Sequence, residues 1–531
     1  MRKVLFTTVY RPFPALDGVS CMDLYASRLS KEQDIFAPAS YYPALPLFLI
    51  AQNISLPSVV LEHPTLEQFR EEVAKGYDYV AIHFAASLFY EKVLTMCRLI
   101  RQVSPESKIV LGGYGVVCLS ENFEQEKELA GMVDHVCYGE GIRFMREVVG
   151  DPLDSPIKQE LPPAAIYFMG QKVYFCNLLS ALGCRAGCEF CATSAFFKYK
   201  KVRVASPEEL WLQMKKNILA KKGEFNWIYD EDFFQDPEYV REFGRLIKED
   251  NDVSLRDVSW GGYGSVRTLS RFDPEELADI GLTSIWIGVE SKFSDLPKRQ
   301  GKDIKEIFHS FLDAGVQIVG SFIIGWDFHN LNNIKEDIEY LVELNPTFSQ
   351  VSSLMPCPGT KLWQKVMETN RLNARQFKWK NFHLYSHIHT HPSLTGDDIT
   401  HLVRHTQRRL YQENGPSLFR MFEVHLRGYK KFKGATTARL KERAELHKRW
   451  CLKAYPILLT VKVFAPGKKV RAKVRKATEE FVAEFGKPSF FLRLQSLFFL
   501  AYAVCLKLSR FLPRRIPQPK FGRYLYNGAQ A

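Results

Sequence analysis

The sequence predicts an α/β protein in three parts: a doubly wound parallel sheet, a partial (β/α) barrel, and a mostly helical, basic C-terminal region. Three observations lead there. Short apolar runs alternate with amphipathic stretches over the first 150 residues, and again from 173 to about 358. Strands alternating with helices make parallel sheets covered on both faces. Beyond about residue 395 that rhythm stops and the chain reads as helix. The charge changes in the same place: residues 401–531 hold 29 Lys and Arg against 7 Asp and Glu, a net +22, while the rest of the chain holds 43 basic and 52 acidic residues, a net −9. The formal charge of +13 over 531 residues thus comes entirely from the last quarter. Such asymmetry points to an anionic partner, a lipid surface or a nucleic acid.

Composition narrows the class. An apolar share of 46% and a charged share of 25% are ordinary for globular chains and exclude global disorder and a polytopic membrane protein. Eleven cysteines are too sparse for a secreted disulfide scaffold. The first apolar run is too short for a signal peptide, so a cytosolic, reducing setting is expected, where clustered cysteines favour metal or redox chemistry.

Within a first domain, residues 1–150, strands are expected at 4–9, 59–61, 79–83, 108–111 and 135–138. A capping box at Thr65 and Gln68 opens one helix between them. Gly112-Gly113 ends one strand at the carboxyl edge, where such sheets bind ligands. Residues 151–172 are Pro-rich and read as an irregular linker. In the second domain, 173–385, strands are expected at 227–229, 257–260, 284–289, 317–324 and 350–354, the rhythm of a partial barrel. Residues 386–531 form the C-terminal region.

The chemistry concentrates in Gly183-Cys184-Arg185-Ala186-Gly187-Cys188-Glu189-Phe190-Cys191, three thiols spaced C-x3-C-x2-C after an apolar strand. The two glycines let the loop wrap tightly. Iron–sulfur cubes take four ligands, usually thiolates, so three local cysteines leave one iron open, the mark of a reactive site. The plainer alternatives are a zinc knuckle with a distant fourth ligand and three unrelated thiols.

This segment resembles the signature of the radical S-adenosylmethionine (radical SAM) superfamily, which places an aromatic residue, here Phe190, before the last cysteine. The resemblance implies that Cys184, Cys188 and Cys191 ligate a [4Fe–4S] cluster and that S-adenosylmethionine chelates the fourth iron. Reductive cleavage would then give a 5′-deoxyadenosyl radical that attacks an unactivated carbon, with an external ferredoxin- or flavodoxin-type reductant. Further segments match in the expected order within a (β/α)6 radical SAM barrel. Asp230 and Glu231 resemble the acidic strand end at the cofactor's amino group. Ser265 and Arg267 suit its carboxylate, since a guanidinium meets a carboxylate bidentately. Glu290 and Ser291 resemble the "GVES" end near the ribose, Gly325 the strand that pairs with adenine, and residues 355–360 the "P-x-PGT" turn. A second cluster would draw first on Cys176 and Cys357.

The domain order resembles the cobalamin-binding subgroup, which sets a Rossmann-like domain before the barrel. Gly112, Gly113, Gly139, Glu140 and Gly141 look like its "GG" and "GEG" turns, so the resemblance implies either cobalamin as a third cofactor or a degenerate domain that retains the shape alone and only shapes the substrate cleft. One feature departs from the pattern. The loop at residues 10–18 has no histidine to ligate cobalt, and His83, after the third strand, reads as a strand-end histidine.

Two features lie outside the resemblance. His387, His389 and His391 alternate, and on a strand they would share a face, suiting a metal, a substrate pocket or plain structural use. In the tail, six basic residues between Lys468 and Lys476 precede residues 494–506, thirteen positions without a formal charge. As a helix these rise about 20 Å, short of the hydrocarbon core of about 30 Å. Lying in a membrane interface, with the cations at anionic head groups, fits better; the alternative is that these helices pack on the barrel and the charges are merely solvated. The basic cluster lacks the interleaved aromatics of a nucleic-acid surface. The expectation is a cytoplasmic enzyme, peripheral at the inner face of the membrane. It would perform cobalamin-dependent C-methylation of an apolar or lipid-like small molecule. The alternatives are radical C–C coupling or cyclisation without cobalamin, and a non-catalytic RNA- or membrane-surface protein with a degenerate barrel.

Overall fold

The computed structural model describes residues 2–14, 26–27, 29–121, 123–372, 377–509 and 518–529; positions 15–18 of the histidine-free loop lie outside them. The N-terminal sheet runs Ser58–Glu62, Val4–Thr8, Tyr79–His83, Lys108–Gly112, His135–Cys137, all parallel. In chain order that is 2-1-3-4-5, a doubly wound sheet with its switch point between the first and third strands. Every residue of Val4–Thr8 and Ser58–Glu62 is buried, as a parallel strand between two helical layers must be. The expected capping box at Thr65 and Gln68 opens helix Leu66–Val73.

The second sheet holds six parallel strands, Gln171–Leu179, Phe225–Tyr229, Trp260–Gly264, Leu282–Glu290, Gln317–Ile324 and Phe348–Ser353. This is the partial (β/α)6 barrel. The third strand sits later than the expected 257–260 because its glycines carry no side-chain pattern. Packing requires one of them: a Cβ on Gly261 would stand 2.7 Å from the Trp227 ring. The sheet continues antiparallel through Ala164–Phe168 to Ala39–Tyr41 and Ala26–Ser27. Part of the expected irregular linker is therefore a hairpin arm, turned at Met169 and Gly170, both with positive φ.

The C-terminal region is helical, in helices Gly396–Asn414, Ser417–Phe432, Ala438–Ala454, Ile457–Phe464, Lys468–Phe485 and Phe490–Leu508. The second and third lie under the barrel floor. There the fully buried Arg443 donates to the carbonyls of Val258 (3.2 Å) and Leu282, and Trp450 stacks on His425. The chain then returns to its start: Gly522–Tyr526 pairs antiparallel with Ser58–Glu62 and seals the edge of the first sheet. Arg523 clasps Glu72 bidentately, both contacts 2.9 Å.

Candidate active site

The cysteine loop hangs from a two-stranded clasp, Ala181–Leu182 against Val202–Arg203, at the end of the first barrel strand. Gly183 enters it at φ +79°, and a Cβ there would lie 2.3 Å from the Lys200 carbonyl oxygen. No other residue fits where the two arms touch. Cys184 and Cys188 are buried and Cys191 half-buried. The Cys184 sulfur accepts from the Ala186 amide (3.4 Å) and the Gln235 side-chain amide (3.1 Å). Burial pushes the Cys188 thiol up to about 11, opposed by nearby Lys298 and aided by Cys191, Glu290 and Cys184. The three sulfurs thus sense one another, yet among the described residues no three His, Cys, Asp or Glu side chains converge on a single ion. Cys357 is half-buried near Cys191, whereas Cys176 sits mid-strand against Asn226.

The expected cofactor contacts divide. Asp230 is buried and committed: it accepts from the Ser180 hydroxyl (2.9 Å) and pairs with Lys201 (2.6 Å). Asp232, one residue beyond the expected pair, accepts from the Thr268 hydroxyl (2.8 Å). Glu231, between them, faces the other way and lines the main cavity. Its Oε2 is buried without a partner, and burial pushes its carboxyl up to about 7. Ser265 and Arg267 do not act together here. The Ser265 hydroxyl caps helix Val266–Leu269, accepting from the Thr268 amide, and Arg267 lies exposed on that helix.

Glu290, at φ +59°, pairs with Lys298, and Gly288 makes room, since a Cβ there would strike both groups. Burial works against the Lys298 charge, but Glu290 and the Cys188 sulfur hold it above its ordinary value. Phe190 packs edge-on against Trp326 and lies under Lys298. Lys298 is the site residue that the sequence did not announce; it sits in the turn Pro297–Arg299, outside any motif. Ser291 and Gly325 are joined by a buried relay. The Ser291 hydroxyl donates to Asp337 (2.5 Å), His329 Nε2 meets the same carboxylate (3.0 Å), and the Gly325 amide donates to His329 Nδ1 (3.1 Å). The relay holds the ends of two barrel strands in register.

The histidine strip is irregular backbone, not a strand. His391 spends both ring nitrogens, one on the Trp326 carbonyl (2.8 Å) and one on the Ser393 and Leu394 amides. The His387 and His389 rings meet at a 39° tilt with centroids 4.1 Å apart. Three imidazoles are therefore not presented to one metal.

On the facing domain, Gly113 has φ +104° and would place a Cβ 2.8 Å from the Phe84 carbonyl. Gly139 has φ +147° and open space above it. Glu140 caps helix Gly141–Val149, accepting from the Ile142 and Arg143 amides, and a Cβ on Gly141 would strike Ile50. Gly112, Gly113, Gly139, Glu140 and Gly141 all line the same cavity as Glu231. That cavity measures about 700 Å³ and is walled mainly by aromatic and aliphatic side chains of both domains. Helix Ala192–Phe196, directly after Cys191, contributes Phe196, which packs on Tyr114 across the domains.

No family model matches the chain. An uncharacterized methyltransferase of Pyrococcus horikoshii is 23% identical over 393 residues, covering 66% of this chain and 82% of that protein. Among solved structures, the radical S-adenosylmethionine methyltransferase TsrM of Kitasatospora setae, with tryptophan substrate and a SAM analogue bound, superposes with a TM-score of 0.56 at 12% identity, covering 85% of this chain and 99% of that one. The same enzyme with cobalamin and a [4Fe–4S] cluster superposes with a TM-score of 0.51 at the same identity and coverage. The chain thus shares with these structures the fold of a six-stranded partial barrel behind a doubly wound domain, and it carries its C-x3-C-x2-C loop at the end of the first barrel strand.

Proposed function

We propose that this protein is a radical SAM methyltransferase, cobalamin-dependent, that acts on an unactivated carbon of an apolar substrate. One observation carries the reading: a single apolar cavity of about 700 Å³ is bounded by the cysteine-loop helix and Glu231 on one side and by the glycine turns of the first domain on the other. Both domains open onto one reaction space, within the usual size of a small-molecule site.

The residues fit the implied groups. Cys184, Cys188 and Cys191 would hold the cluster, with Gln235 and the Ala186 amide donating to sulfur. The unpaired Glu231 Oε2 is an acceptor waiting for a cationic donor, since a buried polar atom left alone is costly. Glu231 would thus receive the cofactor's ammonium group. Gly139, with nothing above its Cα, lets a large flat group approach the backbone of the first domain. When bound, the cluster, S-adenosylmethionine and cobalamin supply the one-electron chemistry and the methyl group, given an external reductant. The chain's own part is to position and to exclude water. Lys298 keeps a positive charge beside Cys188 and holds Glu290 in place. The Ser291–Asp337–His329–Gly325 relay fixes the strand ends. Aromatic rings such as Trp227, Tyr263 and Trp286 line the barrel's side of the cavity and keep it dry.

The test is anaerobic purification from a cobalamin-replete host, followed by assay with methyl-labelled S-adenosylmethionine, a reductant and candidate apolar acceptors. The reading expects cobalt and iron in the protein and label in an organic extract. Release of 5′-deoxyadenosine from protein that never takes up cobalt would favour radical coupling or cyclisation instead.

A further inference from the structure

The cavity does not stop at the mouth of the barrel. A (β/α) barrel normally fills its interior with layers of side chains. Here the cavity is lined by Tyr229 and Glu231 at the carboxyl ends of the strands, and by Phe225, Gln317 and Phe348 at their amino ends. At about 3.3 Å per residue, the run from Phe225 to Glu231 spans about 20 Å. The bore ends at Leu418, Met421, His425 and Trp450 of the helices under the floor. Four of its lining residues, Phe168, Leu418, Met421 and Trp450, also wall a satellite cavity of about 20 Å³ that Lys453, Ile457 and Phe499 line as well. Phe499 belongs to helix Phe490–Leu508.

That helix has two faces. Ser496, Phe499 and Ala503 are buried against the body. The opposite face shows Phe490, Phe491, Leu494, Leu497, Phe498 and Leu508, each more than half exposed. Its 19 residues have a mean hydropathy of 1.5 in the most apolar window, of which only 17% is buried. A stripe of this kind is far from the scattered exposed apolar residues of an ordinary surface. Lys487 precedes the helix and Arg493 lies within it, and further cations lie on the preceding helix Lys468–Phe485. Lys468, Arg471, Arg475, Lys487 and Arg493 are exposed, and none of them has an acidic partner among the described residues. One face docked on the protein, one apolar face outward and a basic flank describe a helix lying in the plane of an anionic bilayer.

We propose that helix Phe490–Leu508 seats the protein on an anionic membrane, and that the alkyl chain of a membrane lipid enters past Phe499 and Trp450 through the barrel floor to reach the reaction space beside Glu231. This rests on the methyltransferase reading for the fate of the chain, but not for its route. The floor residues Leu418, Met421 and Trp450 supply apolar contact; the one lysine at the satellite cavity, Lys453, is paired with Glu224 (2.6 Å), and burial pushes His425 down to about 3. The polar head would remain outside, among the cations.

The experiment uses the full chain, with or without its cofactors, and two probes. The first is flotation with phosphatidylcholine vesicles, with and without phosphatidylglycerol. Binding is expected only with the anionic lipid, to weaken in salt, and to fall at least tenfold in the double variant Leu494→Glu/Phe498→Glu. Both positions are exposed, so an unchanged melting curve verifies the fold. The second is a diazirine-bearing fatty acyl lipid in the same vesicles, with the labelled residues mapped by mass spectrometry. Label on Met421, Trp450 or Phe168 is expected, and Trp450→Arg should remove it without impairing flotation. Label confined to helix Phe490–Leu508 overturns the route. Failure to float, with a dimer that the double variant dissociates, would mean that the stripe meets a second copy of the chain, and overturns the proposal. Neither probe needs turnover: if both fail while methyl transfer to a soluble acceptor persists, the lipid inference falls and the methyltransferase reading stands.

Discussion

Gly183→Ala tests how the cysteine loop is built. Gly183 sits at φ +79°, where an L-residue costs about 1–2 kcal/mol. Its Cβ would fall 2.3 Å from the Lys200 carbonyl oxygen and 2.7 Å from the Phe197 Cβ. Neither obstacle can swing away by changing rotamer, so the clasp between Ala181–Leu182 and Val202–Arg203 must open. Overpacking of that kind costs a further 1–3 kcal/mol, roughly. The total of about 2–5 kcal/mol falls on the segment that aims Cys184, and a domain of ordinary stability survives it. Gly187 is the internal control. Its φ is +75°, but nothing lies within 4 Å of its Cβ direction, so Gly187→Ala should incur the left-handed cost alone. Iron per chain after anaerobic reconstitution, read beside a thermal melt, should rank wild type above Gly187→Ala and Gly187→Ala well above Gly183→Ala. Equal iron loading in all three would refute the reasoning.

Other outcomes follow from the same geometry. Glu231 is uncharged in the folded state over a range where it ionises in the unfolded chain: its carboxyl is pushed from 4.5 up to about 7 by burial. Stability should therefore fall as pH rises from about 4.5 to 7 through this group. Glu231→Gln should melt like wild type at pH 5 and higher at pH 8, by about 1–3 kcal/mol, while binding S-adenosylmethionine at least tenfold more weakly; an unchanged pH 8 melt would count against it. Glu72 is the opposite case. Burial raises its carboxyl, but hydrogen bonds from Arg523, Tyr77 and Lys75 overcome this and hold it at about 2. Its contribution is full above about pH 4.5 and lost as pH falls through about 2. Arg523→Ala should destabilise the first domain by about 2–4 kcal/mol at neutral pH, read by urea unfolding or limited proteolysis of the edge strand. Lys298→Met should leave the fold intact and, by removing the cation beside Cys188 and freeing Glu290, shift the cluster's reduction potential to more negative values by voltammetry.

Much of the architecture is legible in the sequence, for a physical reason. Strands buried on both faces, such as Val4–Thr8 and Ser58–Glu62, are mostly apolar runs, and such runs stand out. Trp260–Gly264 does not, because three of its five residues are glycines that carry no pattern. The closing strand Gly522–Tyr526 is short and pairs with a strand more than 450 residues upstream, a contact that no local rule anticipates. In the site, the cysteine spacing carries the chemistry because the ligands are contiguous. The acidic segment needs the structure: the alternation of side chains at a strand end sends Asp230 and Asp232 to structural partners and leaves only Glu231 over the cavity. Lys298 is brought in by a turn that has no signature of its own. The bore of the barrel is invisible in sequence, since it arises from which inward side chains fail to meet.

The most direct measurement is iron and sulfide stoichiometry with low-temperature electron paramagnetic resonance of the reduced protein, before and after adding S-adenosylmethionine, in wild type and in Cys184→Ser, Cys188→Ser and Cys191→Ser. Wild type should hold about four irons per chain, and its signal should change shape as S-adenosylmethionine takes the open iron; each serine variant should lose the cluster signal. A full cluster retained in any of the three variants, or a wild-type spectrum indifferent to S-adenosylmethionine, would contradict the account.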